Sequence, residues 1–234
     1  MFFHKKTSPI VIQVDGIIGV GKTTFINEFL VPLFQDKGLK VQVIREPVDE
    51  WTELLPLFYA KPKRYSYLFQ TMAFHDRVKI SKKIYDENKD RIDVFITERG
   101  MMSDPLFMKT LYDFGNVSDI EMKSYKKWWE MWTELVPFTP TLYIYLTADI
   151  NNIMSRIKKR SRDGESGVTI EYQNVLLKHH NILFLEELKG ECCCINITKD
   201  YREQTEKDKK LEMEKSIFFD INNIFDAQQA LIKI

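Results

Sequence analysis

One run, Gly16-Ile17-Ile18-Gly19-Val20-Gly21-Lys22-Thr23, constrains this chain more than any other stretch. It satisfies the pattern G-x-x-x-x-G-K-[ST] between an apolar, strand-like segment and a helical pattern, the setting in which that spacing forms a phosphate-binding loop. Glycines at Gly16, Gly19 and Gly21 let backbone N–H groups turn inward around a triphosphate, and the following helix adds the positive end of its dipole. Lys22 then reaches the β- and γ-phosphates and Thr23 offers its hydroxyl to Mg²⁺, with Thr24 beside it. The loop implies that the chain binds ATP or another nucleoside triphosphate. It does not by itself separate a kinase from a motor, a switch GTPase or an ATP-driven binding module.

The rest of the chain reads as the fold such a loop needs. Strand-like segments at Ile10 to Val14, Val41 to Ile44, Val94 to Thr97, Leu142 to Leu146 and Cys193 to Ile197 alternate with longer helical patterns. Those patterns run over Lys22 to Gln35, Tyr65 to Tyr85, Ile120 to Leu135, Ile150 to Lys159 and Thr169 to Leu188. This alternation predicts an α/β fold, a five-stranded parallel sheet with helices on both faces. At 234 residues, without repeat, low-complexity tract or linker, residues 1–234 are expected to form one domain. The charged stretch Tyr201 to Lys215 reads as a solvated turn or helix, and Ile217 to Leu231 carries the spacing of a docked amphipathic helix.

Composition excludes several classes of partner. Acidic and basic residues balance at 34 each, so nothing demands a nucleic acid. The apolar runs are strand-sized, which predicts no membrane span, and the N-terminus lacks a signal-like stretch, which makes a cytoplasmic location the expectation. Cys192, Cys193 and Cys194 are adjacent, so they cannot all face one metal from a strand, and they read as small apolar residues. Trp128, Trp129 and Trp132, at helical spacing, read as packing or a subunit interface.

Further motifs narrow the acceptor. Arg45-Glu46-Pro47-Val48 with Trp51 follows the second strand, and here the sequence resembles the deoxyribonucleoside kinase family. Taken alone, such a Glu-Pro is more often a turn with a surface carboxylate. The resemblance makes Glu46 the general base for a 5′-hydroxyl. Tyr59, Pro62-Lys63-Arg64-Tyr65 and Phe69-Gln70 repeat the family's next block. It implies that Tyr59 donates to the sugar 3′-hydroxyl, that Gln70 reads the base edge, and that Trp51 and Phe69 wall the pocket. Thr97-Glu98-Arg99-Gly100 resembles the Glu-Arg-Ser motif, with Glu98 on Mg²⁺, Arg99 bridging Glu46 and the reacting phosphate, and Gly100 in place of the usual Ser. With Lys22, Glu46 and Arg99 complete the expected catalytic set.

Arg156, Arg160 and Arg162 lie in a stretch that resembles the family's Arg-rich lid, over about residues 156–167, and Glu165 matches a position accepting from the 3′-hydroxyl. In isolation this segment would read as a solvated basic helix end. Asp200 and Tyr201 occupy the family's adenine-side loop. Arg77 shares a helical face with Gln70, and Arg77 and Asp104 match positions that accompany deoxycytidine and purine preference. The alternative is a helix-surface Arg and a helix-start Asp before Pro105. Met108 stands where the family places a stacking Phe, with Phe107 adjacent. The resemblance thus implies an ATP- and Mg²⁺-dependent deoxyribonucleoside kinase, a homodimer, favouring deoxycytidine or purine deoxynucleosides over thymidine. A thymidylate-type nucleoside monophosphate kinase and a non-catalytic ATP-binding module remain the alternatives.

Overall fold

The computed structural model describes residues 8–136, 139–160 and 167–197. At its centre is β1 (Ile10–Asp15), buried along its whole length. It pairs in parallel with β3 (Val94–Glu98) on one side and β4 (Leu142–Thr147) on the other. β2 (Val41–Ile44) adds to β3 and β5 (Cys192–Asn196) to β4, giving an all-parallel sheet of order β2-β3-β1-β4-β5. The five strands are those read from the sequence, with β5 shifted one residue toward the N-terminus.

Alternation along the strands sends side chains into two cores. Ile10, Ile12, Val14, Val94 and Ile96 meet Phe25, Ile26, Leu30, Ile153 and Leu176 on one face of the sheet. Val11, Ile44 and Phe95 meet Phe58, Phe69, Phe74 and Tyr125 on the other. Such two-sided burial is why the strands read as continuous apolar runs rather than alternating ones.

The first predicted helix is not uniform. α1 (Lys22–Phe25) passes through a π-helical turn, Ile26–Leu30, into α2 (Val31–Gln35). Pro32 has no N–H to give to an i−4 carbonyl, and the wider turn precedes it. Among the described helices, α3 (Leu54–Ala60) was not foreseen, and α5 (Asp104–Asp113) was read only as the alternative that made Asp104 a helix start. α4 (Pro62–Asn88) starts earlier than its apolar spacing predicts because Pro62 suits a first helical turn. α6 (Asp119–Leu135), α7 (Ile150–Arg160) and α8 (Ile170–Asn181) follow, the last continuing as a π-turn, Ile182–Glu187.

Trp129 donates its indole N–H to the Met101 carbonyl at 2.8 Å and Trp132 packs against the second core, whereas Trp128 is half exposed. Among the described residues, no helix is long and apolar enough to cross a membrane. The segment 201–215, the C-terminal helix read at Ile217 to Leu231, and Arg162, Glu165, Asp200 and Tyr201 lie outside the described residues.

Candidate active site

The loop from Gly16 to Lys22 wraps the carboxyl end of β1, where open parallel sheets bind ligands. Gly16 has φ 143°, and a Cβ there would stand 2.5 Å from the Leu146 carbonyl oxygen, so backbone approach forces glycine at this position. Lys22 is buried and curls back to donate to the carbonyls of Gly16 and Ile17 at 3.2 and 3.3 Å. Burial, reinforced by Arg99, pushes its pKa down to about 8 against the pull of Glu98, Glu46 and Asp15. The Thr23 hydroxyl donates to Glu98 Oε1 at 2.6 Å, so the two oxygens read as metal ligands stand side by side.

Glu46 follows β2 and sits between two guanidinium groups. Arg77 Nη2 donates to Oε1 at 2.6 Å and Arg99 Nε to Oε2 at 3.4 Å. Burial would raise the Glu46 pKa, but Arg99, Arg77 and Lys22 outweigh it and hold the carboxyl at about 2. Arg99 itself has φ 65°, the only positive φ at a non-glycine residue among those described. A left-handed backbone at a β3 terminus is a strained way to aim a guanidinium, and such strain gathers at functional sites.

Deeper in the cleft a polar wall is closed on itself. The buried Asp104 carboxylate accepts from Gln70 Nε2 at 2.8 Å, from the Tyr125 hydroxyl and from Arg77 Nη1. Asp104 therefore does not cap α5, and Arg77 is buried, not a surface residue of α4. Around this wall Phe69 stacks on Phe58 with centroids 4.7 Å apart and meets Trp51 edge-on at 5.7 Å. Trp51 donates its indole N–H to Asp76 at 3.0 Å and lies under the Arg77 guanidinium.

These groups line one cleft of about 260 Å³, which takes in Gly19, Lys22, Thr23, Glu46, Trp51, Tyr59, Phe69, Gln70, Arg77, Glu98, Arg99 and Arg160. Gly16, Gly21, Thr24 and Asp104 are not among its lining residues. The two arginines of α7 that were read as lid residues part company. Arg156 donates to the carbonyls of Val20 and Ile197 at 2.8 and 2.9 Å, bracing the phosphate loop from behind, while Arg160 borders the cleft.

Sequence reasoning missed two lining or supporting residues, Tyr172 and Asp15, and named a third, Phe107, only as the neighbour of Met108. Tyr172 of α8 borders the cleft, Phe107 lies under the guanidinium groups of Arg99 and Arg77, and Asp15 anchors the loop from below. Met108 is fully buried in the second core, so Phe107 is the residue of this pair that faces the cleft. Asp15 could have been found, since an acid ending a buried apolar strand needs a buried partner. Tyr172 carried no signal apart from an ordinary amphipathic helix.

A parallel β2-β3-β1-β4-β5 sheet with a phosphate loop after β1, and with a carboxylate between two arginines beside it, defines a P-loop kinase. The sequence profile described as deoxynucleoside kinase matches residues 12–223. This chain belongs to the deoxynucleoside kinase family, and so is a phosphotransferase that acts on a nucleoside. Among its relatives, a fowlpox virus protein named "Probable deoxycytidine kinase" is 33% identical over 180 residues, covering 76% of this chain and 70% of the relative. Chicken deoxycytidine kinase 2 is 30% identical, covering 76% and 75% of the two chains. Human deoxycytidine kinase is also 30% identical, covering 76% of each.

Proposed function

We propose that this kinase moves the γ-phosphoryl group of ATP, with Mg²⁺, onto the 5′-hydroxyl of a deoxyribonucleoside, favouring deoxycytidine or purine deoxynucleosides over thymidine. The observation that carries the reading is that one cleft gathers Lys22 and Thr23, the carboxylate of Glu46 between Arg77 and Arg99, and the Gln70–Asp104–Arg77 wall. The names of the deoxycytidine kinase relatives agree with it.

The Thr23 hydroxyl and Glu98 carboxylate are hard oxygen donors in contact, which fits Mg²⁺, an ion held by one or two protein oxygens together with substrate phosphates. When bound, the ion neutralises charge on the β- and γ-phosphates. Lys22 leaves the carbonyls of Gly16 and Ile17 for the phosphates, which raises its pKa and fixes its charge. Glu46 takes the hydroxyl proton. With a pKa of about 2 it is a weak base, adequate only where that proton leaves late, as a loose phosphoryl-transfer transition state allows. Arg99 orients Glu46 and, with Arg160 and the lid residue Arg162, balances charge on the transferring group.

Gln70 reads the base edge, and the Arg77–Asp104 pair fills space that a thymine methyl group would need. Tyr59 and Glu165 are assigned to the 3′-hydroxyl, and Asp200 and Tyr201 to the adenine, on the resemblance of their motifs alone. The reading takes the chain as one catalytic domain, cytoplasmic and homodimeric, acting without nucleic acid or membrane. A phosphorylation panel of deoxycytidine, deoxyadenosine, deoxyguanosine and thymidine with ATP and Mg²⁺ tests it. Phosphorylation of the first three ahead of thymidine is expected, and a preference for thymidine or for a monophosphate acceptor would overturn it.

A further inference from the structure

A buried polar cluster lies behind the reactive edge of the cleft, and the chemistry above leaves it unused. Its hub is the fully buried carboxylate of Asp15. Oδ1 accepts from the Gly16 N–H at 2.9 Å and lies 3.4 Å from Arg99 Nη1, while Oδ2 accepts from Gln13 Nε2 at 3.0 Å. His180, also fully buried, faces the same Oδ1 with its Nε2 at 3.3 Å. Its Nδ1 stands 2.8 Å from the Leu176 carbonyl, the nearer of two partners that can only accept, so a neutral ring keeps its proton on Nδ1. Nε2 then turns a lone pair toward a carboxylate, and it has no hydrogen-bond partner.

We propose that His180 is a positioning residue for phosphoryl transfer, setting through Asp15 how Arg99 is held against Glu46. It deepens the kinase reading and rests on it. A neutral His180 leaves Oδ1 to Gly16 and Arg99. A proton on Nε2 supplies a further donor, draws the carboxylate toward the imidazole, and loosens one of the two carboxylates that orient the Arg99 guanidinium. Burial lowers the His180 pKa below the ordinary imidazole value, against Asp15 and the Leu176 carbonyl and with help from Arg99, so the neutral form prevails near neutral pH.

The charged or titratable groups facing the ring are Asp15 from β1, Arg99 after β3 and Tyr145 from β4, whose own pKa burial raises. α5 presents Phe107 and the π-turn presents Phe184, neither of which titrates. Gln13 is the cluster's second arm. Its amide oxygen occupies the space of a Cβ on residue 100, so this arrangement requires the glycine that replaces the family's Ser.

The test is the single-turnover transfer rate as a function of pH, with an ¹⁵N NMR titration of the His180 ring. The rate is expected to fall on the acid side with the midpoint that the NMR signal gives, a limb that Glu46, at about 2, titrates too low to produce. His180→Phe and His180→Gln should both lose that limb. Gln, a permanent donor to Asp15, should run about tenfold slower than Phe across the range. Gly100→Ala keeps His180 but displaces Gln13 from Asp15, which makes the carboxylate attract the imidazolium more and moves the midpoint upward by about half a unit or more. An acid limb that survives His180→Phe, or a midpoint unmoved by Gly100→Ala, overturns the proposal alone. A protein inactive on all four deoxynucleosides overturns the kinase reading along with it.

Discussion

At the scale of single residues, Glu46 carries the sharpest expectation. Glu46→Gln keeps the shape and most hydrogen bonding but cannot take a proton, so transfer should slow by about a hundredfold. Nucleoside affinity, read by titration calorimetry, should stay within a few-fold. A second expectation concerns Gly167, where an added Cβ would stand 2.5 Å from the Tyr59 ring. Gly167→Ala must therefore push Tyr59, and overpacking of this kind costs about 1 to 3 kcal/mol. Because Tyr59 faces the 3′-hydroxyl in the proposed reading, KM should rise for deoxynucleosides and much less for a 3′-deoxy analogue. Equal rises on both would show that the contact acts through shape alone. The exchange of Met108 for Phe107 shows what sequence withholds at this scale. Each residue of a helix turns about 100°, and which neighbour faces the cleft depends on where α5 begins, a boundary that motif spacing does not report.

At the scale of elements, the strands and the phosphate loop were legible, because buried parallel strands flanked by Gly-rich turns leave strong local patterns. α3 and α5 were not. Both are short, both hold a proline in the first turn, and α5 begins inside a motif read for its chemistry, so neither offers a long apolar period. The closed Asp104 wall and the Asp15 hub were equally hidden, since each joins side chains far apart in the chain. α6 presents the clearest local signature: Ser118 and Glu121 form a reciprocal capping box, with the Ser118 N–H donating to Glu121 Oε2 at 2.8 Å. Ser118→Ala should cost about 1 kcal/mol, a fall in Tm of about 2 to 4 °C for a chain of this size. Ser118 does not line the cleft and stands two turns before Tyr125, the residue of α6 that reaches Asp104, so the transfer rate should change little, and calorimetry beside a rate assay separates the two effects.

At the scale of the whole molecule, its buried ionisable groups set the response to acid. Asp15 and Glu46 have pKa values lowered in the fold, so the stability they contribute is present above the unfolded carboxylate values near about 4 and is lost as pH falls toward about 2. The lowered pKa of His180 adds an earlier loss, because below about 6.5 the unfolded chain takes a proton that the fold resists. Urea midpoints should therefore decline from about pH 6.5 downward and steepen below about pH 4. A midpoint constant from neutral pH to about 4 would show that His180 is protonated without penalty. The strand order bears on how the fold is reached. β1 is made first, yet its partners are β3 and β4, joined by the registers Ile10↔Val94 and Ile12↔Leu142. A growing chain therefore carries this central, fully buried strand without a partner until β3 is made and with one edge open until β4 follows, and closing such distant contacts is slow. The phosphate loop seats Gly16 against the Leu146 carbonyl, so it becomes competent only once β4 is in place, and nucleotide binding reports that step of folding.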